Sequence, residues 1–132
     1  MRKAAALGFS VSKPWQEGER YDIIVRVGSI FWRVQVKSVL RKSPSRKHYR
    51  VRTCSVTRKR KRATYSASEI DFLVAYIFPE DTWYVFPATV IEGRQNMCVS
   101  PGSKKSHCEQ YREAWKLMKP ESLAAAAASP SP

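Results

Sequence analysis

Asp22-Ile23-Ile24-Val25-Arg26-Val27-Gly28-Ser29-Ile30-Phe31-Trp32-Arg33-Val34-Gln35-Val36-Lys37 is the stretch that decides the fold. Residues 21–27 are rich in β-branched side chains and predict a strand, and residues 30–39 predict its return partner. Gly28-Ser29 between them is a two-residue turn signal, with glycine where a type II′ turn needs positive φ. If those two residues form the loop, Val27 faces Ile30, and pairing carries on until Asp22 falls opposite Gln35. Side chains alternate across a sheet. One face then carries Ile23, Val25, Val27, Ile30, Trp32, Val34 and Val36, all apolar, and must be the core side. The other carries Asp22, Ile24, Arg26, Phe31, Arg33, Gln35 and Lys37. A slip of one residue would break both faces at once, so the register is well specified.

The second face groups three kinds of chemistry at one end of the hairpin. Directly opposed Cβ atoms lie about 4.5–5.5 Å apart, and Lys37 follows Gln35 by two residues on the same side. A carboxylate and an amide oxygen are hard ligands, suited to Mg²⁺ with water and phosphate oxygens in its other positions. Such a metal lowers the pKa of a bound water and polarises a scissile phosphate. Lys37 would orient that water or neutralise charge developing on the phosphorane. The competing reading is a solvated hairpin face with an Asp–Lys diagonal pair worth under about 1 kcal/mol. A D…QxK pattern is short and common by chance, so spacing alone leaves both readings open.

Outward from the hairpin, residues 4–7 read as the last turn of a short helix stopped by Gly8, and residues 9–11 as a short strand. Residues 48–56 predict a third long strand. Ser66-Ala67-Ser68-Glu69 fits a capping box opening a brief helix. Residues 72–78 are a continuous apolar run, the pattern of a strand buried on both faces. Pro79-Glu80-Asp81 turns the chain into a strand at 82–86, and residues 96–99 predict an edge strand. Residues 109–119 place Tyr111, Ala114, Trp115 and Met118 on one face of a C-terminal helix. The order predicts an α/β or α+β domain around a mixed sheet over residues 1–119. Residues 120–132 collapse to Ala, Ser and Pro and read as a disordered tail.

Charge narrows the partner. The chain of 132 residues has 24 Lys or Arg against 11 Asp or Glu, a net charge of +13. Eleven of the cations fall between positions 41 and 62 (Arg41, Lys42, Arg46, Lys47, Arg50, Arg52, Arg58, Lys59, Arg60, Lys61 and Arg62), with no acid among them. That density favours a polyanion, because neutralised phosphates release condensed counterions. An anionic membrane is disfavoured, since the window alternates like a strand and lacks an amphipathic-helix stripe. The apolar content of 43% supports a real core. No apolar run nears the roughly 20 residues of a membrane span. Arg2-Lys3 could open a secretory signal, but the apolar stretch at 4–9 is too short, so the cytoplasm is the expected compartment. Three cysteines without a CxxC pair argue against a disulfide scaffold or zinc ribbon. His48 and His107 read as surface residues rather than zinc ligands. Trp15, Trp32, Trp83 and Trp115 read as core or interface anchors. Asp71 is expected to cap or pair locally rather than face the site. Arg33 shares the site face and could contact phosphate, against a bland reading of snorkelling over the sheet.

Asp22 with Gln35-Val36-Lys37 resembles the motif of the PD-(D/E)XK nuclease superfamily, an Asp on one strand and an acidic-x-Lys on the next. Gly8-Phe9-Ser10-Val11-Ser12-Lys13-Pro14-Trp15, Glu19-Arg20-Tyr21-Asp22, Phe31-Trp32-Arg33-Val34-Gln35-Val36-Lys37 and residues 65–76 resemble its bacterial branch related to group I intron-encoded homing endonucleases. So do Pro79-Glu80-Asp81-Thr82-Trp83-Tyr84 and Tyr111-Arg112-Glu113-Ala114-Trp115. The resemblance implies a restriction-endonuclease-like (tRNA-endonuclease-like) αβββαβ core with a mixed central sheet and a C-terminal helix. It implies a Mg²⁺-dependent DNA endonuclease, with Mn²⁺ as an alternative metal. Asp22 and Gln35 would hold the metal, and Lys37 would complete the catalytic set. Arg33, Arg41, Lys42, Arg46, Lys47, Arg58, Lys59, Arg60, Lys61 and Arg62 would grip double-stranded DNA, with a homodimer or higher homo-oligomer cutting both strands.

Two departures bear on activity. Gln35 stands where the superfamily usually has Asp or Glu, a replacement this branch tolerates, and it makes the site less negative. The family usually adds a Glu from its first helix, yet residues 1–8 hold no acid, and Glu17 and Glu19 do not match that position. The first helix is therefore expected to be truncated. The alternative function is a weakened or inactive nucleic-acid-binding module on the same fold. A third is a small basic RNA- or ribosome-associated protein with no metal site.

Overall fold

The computed structural model describes residues 2–13, 21–43, 48–56 and 61–119. Chain order is α1 (Arg2–Ala6), β1 (Ser10–Ser12), β2 (Ile23–Val27), β3 (Ile30–Val39), β4 (Tyr49–Arg52), β5 (Cys54–Val56), β6 (Arg62–Thr64), β7 (Phe72–Ile77), β8 (Thr82–Pro87), α2 (Ala88–Ile91) and β9 (Asn96–Val99). A five-stranded sheet runs β1-β2-β3-β7-β8. Its central pair, β3 and β7, is parallel, and the other neighbours are antiparallel. The sheet is therefore mixed, as expected. Two ribbons, β4–β9 and β5–β6, complete the strand pairing.

The hairpin has the predicted register: Val27 opposes Ile30, Val25 opposes Trp32 and Ile23 opposes Val34. Gly28 takes φ 63°, which a two-residue turn of this hand requires. The apolar face packs as one cluster, in which Ile23, Val25, Val27 and Val34 meet Phe72, Val74, Val85, Trp115 and Met118. Leu73, Ala75, Ile77, Tyr84 and Phe86 point to the opposite side and pack with Tyr49, Val51, Met97 and Val99. Strand β7 thus feeds alternate side chains into two cores. That is why residues 72–77 read as an unbroken apolar run rather than an alternating one.

Three expectations are corrected. The strand expected over 48–56 breaks at Thr53, so β4 pairs with β9 while β5 pairs with β6. Thr53 is fully buried, donates its N–H to the Gln95 carbonyl at 2.9 Å and its hydroxyl to the Arg94 carbonyl at 2.6 Å. Those bonds hold the chain where it passes from one ribbon to the next. The helix expected after Ser66 is a single turn: Ile70 N–H reaches the Ser66 carbonyl, and Ser66 N–H reaches Glu69 Oε1 at 3.2 Å. The capping chemistry is present, but β7 begins before a second turn can form.

The C-terminal helix expected over 109–119 is two 3₁₀ turns, His107–Tyr111 and Trp115–Met118. Between them Arg112 forms an isolated bridge to Tyr84, and Glu113 sits at φ 49°. Glu113 N–H donates to the Trp83 carbonyl at 2.7 Å, and its carboxylate accepts from Trp83 N–H at 2.8 Å and from Trp115 Nε1 at 2.9 Å. Tertiary partners take the backbone groups that a helix would have paired internally. Ala114, Trp115 and Met118 are still buried as predicted. Trp32 also anchors there, its indole N–H donating to the Met118 carbonyl at 2.8 Å. Trp15, the 120–132 tail and the cations Arg46, Lys47, Arg58, Lys59 and Arg60 lie outside the described residues.

Candidate active site

Asp22 sits one residue before β2 and extends the hairpin ladder, its N–H donating to the Val34 carbonyl at 2.9 Å. This places its side chain across from Gln35, as the register predicts. Asp22 Oδ2 accepts from Gln35 Nε2 at 2.9 Å and from the Val36 N–H at 3.0 Å. Oδ1 receives no hydrogen bond from any described residue. Gln35 is a buried polar residue, 8% exposed, so its amide has little freedom beyond rotation about its last torsion. Lys37, next on that face, holds its ammonium 5.5 Å from the centre of the buried Tyr65 ring. The ring stabilises the charge without neutralising it. Tyr65 carries no sequence signal for this role beyond its place in the 65–76 string.

Asp22 and Gln35 bring a carboxylate and an amide, both groups that can offer oxygen to a small divalent cation, to one end of the hairpin. An octahedral Mg²⁺ site with bonds of about 2.0–2.1 Å has neighbouring oxygens about 3 Å apart. Asp22 Oδ2 and the Gln35 amide terminus stand 2.9 Å apart. The amide ends are told apart only by their hydrogen bonds, so a half-turn presents Oε1 in place of Nε2. Among the described residues no group of three or more His, Cys, Asp or Glu gathers to hold a metal. The one described helix before the hairpin, α1, has no acid in its first turn.

Arg33 also lies on the polar face, but its guanidinium is committed. Nε and Nη2 donate to the two Asp71 oxygens at 3.2 and 3.1 Å, and Nη1 and Nη2 donate to the Ser68 and Ala67 carbonyls at 2.7 and 3.2 Å. The backbones join too: Arg33 N–H donates to Asp71 Oδ2, and Asp71 N–H donates to the Arg33 carbonyl, both at 2.8 Å. This bidentate clamp ties β3 to the start of β7. The sequence grouped Arg33 with the phosphate-gripping cations, whereas its donors here all serve the fold. The local role expected of Asp71 is corrected: its partner is Arg33, 38 positions away, across β3 and β7. Of the other named cations, Arg41, Lys42 and Lys61 are exposed, and Lys42 rests over the Tyr49 ring at 5.8 Å. Arg62 contributes its backbone to β6.

A sequence profile described as PD-(D/E)XK endonuclease matches residues 1–118. Among solved structures, the bacterial homing endonuclease I-Ssp6803I is similar, with a TM-score of 0.76 and 28% identity over 98% of this chain and 90% of that one. MepB is a distant likeness, with a TM-score of 0.46 and 13% identity over 74% of each chain. No curated protein matches the chain. No helix among the described residues is long and apolar enough to cross a membrane. The mixed five-stranded sheet and the match along nearly the whole described chain lead to one conclusion: the protein belongs to the PD-(D/E)XK endonuclease family.

Proposed function

We propose that the protein is a metal-dependent endonuclease that hydrolyses phosphodiester bonds in double-stranded DNA. The observation that carries this reading is the 2.9 Å approach of Asp22 to Gln35, beside an unneutralised Lys37. Asp22 and Gln35 would hold Mg²⁺, with Mn²⁺ as a substitute. When bound, the cation supplies Lewis acidity to the scissile phosphate and lowers the pKa of a bound water. The protein's own groups do the rest. Val36 N–H fixes one Asp22 oxygen and leaves the other open. Gln35 sets the spacing of the pair. Lys37 brings a positive charge to the non-bridging oxygens as charge accumulates on them. Arg41, Lys42 and Lys61, with Arg46, Lys47, Arg58, Lys59, Arg60 and Arg62, hold the DNA backbone. Cutting both strands calls for two such sites, hence a homodimer or higher homo-oligomer.

Plasmid nicking in Mg²⁺, Mn²⁺ and Ca²⁺ tests the proposal. Cleavage is expected with Mg²⁺ and Mn²⁺, and Lys37→Ala should slow it by roughly 10²–10³-fold while DNA affinity stays nearly level. An unchanged rate in that variant would remove Lys37 from the mechanism. The second reading is a catalytically inactive nucleic-acid-binding module. The absence, among the described residues, of any group of three or more His, Cys, Asp or Glu favours it. It predicts salt-sensitive binding with no nicking in any of the three metals.

A further inference from the structure

The β4–β9 ribbon has two unlike faces. Tyr49, Val51, Met97 and Val99 point inward and are buried in the core cluster beside Leu73 and Ala75. Arg50, Arg52, Asn96 and Cys98 point outward and are exposed. Register pairs Arg50 with Cys98 and Arg52 with Asn96. Arg50, Arg52, Asn96 and Cys54 line a small cleft of about 180 Å³ with no acid in it. Arg50, Arg52 and Asn96 make no side-chain hydrogen bond or ion pair to any described residue. They differ in this from Arg33, whose Nε, Nη1 and Nη2 all donate to Asp71, Ser68 or Ala67.

Resting on the endonuclease reading above, we propose that this outward face reads base edges in the major groove of the DNA substrate. Shape supports it first. The major groove, about 12 Å wide, admits a two-stranded β-ribbon. Residues two apart on one strand project about 7 Å apart, close to two base-pair rises. Arg50 and Arg52 therefore meet base pairs two steps apart, with Asn96 beside Arg52. Chemistry supports it second. A free arginine fork matches the paired acceptors of guanine, and an asparagine amide matches the donor and acceptor of adenine. Rigidity supports it third. The inner face is locked into the core, and the Thr53 bonds to Arg94 and Gln95 hold the ribbon's end. Position supports it last. Gln35 and Lys37 lie level in β3 with Leu73 and Ala75, whose side chains enter the same core cluster as Val51 and Val99. The ribbon and the candidate active site thus share one side of the sheet.

Selection from a randomised duplex library in EDTA, followed by sequencing and salt titration, tests the inference. Wild type, Arg50→Ala, Arg52→Ala and Asn96→Ala are compared, with plasmid nicking by wild type run alongside. The expected result is an enriched motif from which each variant loses preference at one or two neighbouring base pairs, by roughly 5- to 150-fold. Affinity for random duplex should stay nearly level. Uniform weakening on all sequences, with a salt slope smaller by about 1, would make these residues phosphate contacts and overturn the inference. A wild-type protein that nicks plasmid but enriches no motif would also overturn it and leave the nuclease reading standing. Neither nicking nor enrichment would sink both.

Discussion

Asp22 and Asp71 flank β3 from opposite sides, and their surroundings differ in kind. Asp71 meets a guanidinium that takes both its oxygens, with a backbone N–H added. Asp22 meets only neutral donors, an amide and a backbone N–H, and both address one oxygen. Both carboxylates tie a neighbouring strand to β3. Of the two, only Asp71 meets a cation among the described residues, whereas Asp22 meets none and has one oxygen that no described donor reaches. The difference teaches what makes an acid available for chemistry: it must be held without being neutralised.

Asp22→Asn breaks the comparison on the active side and should have the largest effect. It keeps the shape, removes the charge and should cut metal-dependent nicking by roughly 10²–10³-fold, with little change in the melting temperature. Asp71→Ala breaks the other side. It leaves a guanidinium without its partner and should destabilise by about 1–3 kcal/mol in denaturant titration. That pair is a quarter to a third exposed, so solvent screening keeps the loss below that of a fully buried pair. Cleavage by this variant should persist at temperatures where it stays folded.

Gln35→Glu sharpens the contrast by placing a second negative charge beside Asp22. Metal binding should tighten about tenfold, equivalent to about 1.4 kcal/mol. Without metal, two carboxylates at this distance force one pKa upward. The metal-free variant should therefore lose stability as pH rises through that raised value, and Mg²⁺ should restore it. Thermal melts at low and neutral pH, with and without Mg²⁺, read both effects.

Glu113 extends the saturated class and gives the smallest expected change. Burial pushes its pKa up, but the Trp115 indole N–H, the Trp83 N–H and Lys3 outweigh that and hold it below the ordinary value of 4.5. A carboxyl depressed on folding contributes stability that is full above its unfolded pKa. That contribution is lost as pH falls through the lower folded value. Glu113→Gln should lower stability slightly at neutral pH and flatten the acid limb of the stability curve below pH 4.5, so that variant and wild type converge at low pH.

What could be read from the sequence divides along the same line. The β2–β3 hairpin is set by a two-residue turn and an alternation of period two, both local, and it brought Asp22 to Gln35 in the correct register. The apolar run of β7 was equally plain. The partners of Arg33, Thr53 and Glu113 lie 38, 41 and 30 positions away, and nothing in local pattern announces them. The same gap explains the missing C-terminal helix. The apolar spacing of Ala114, Trp115 and Met118 set which side chains are buried, while the route of the backbone was decided by β8.

The parallel pairing of β3 with β7 has a kinetic consequence. The Asp22–Gln35 contact spans 13 residues, and the Arg33–Asp71 clamp spans 38. Closing the longer loop costs more chain entropy before any contact repays it, which slows folding. The hairpin should therefore be in place at the transition state, and the clamp should close afterwards. Weakening the clamp will then mainly speed unfolding, whereas disturbing the Gly28-Ser29 turn will slow folding itself.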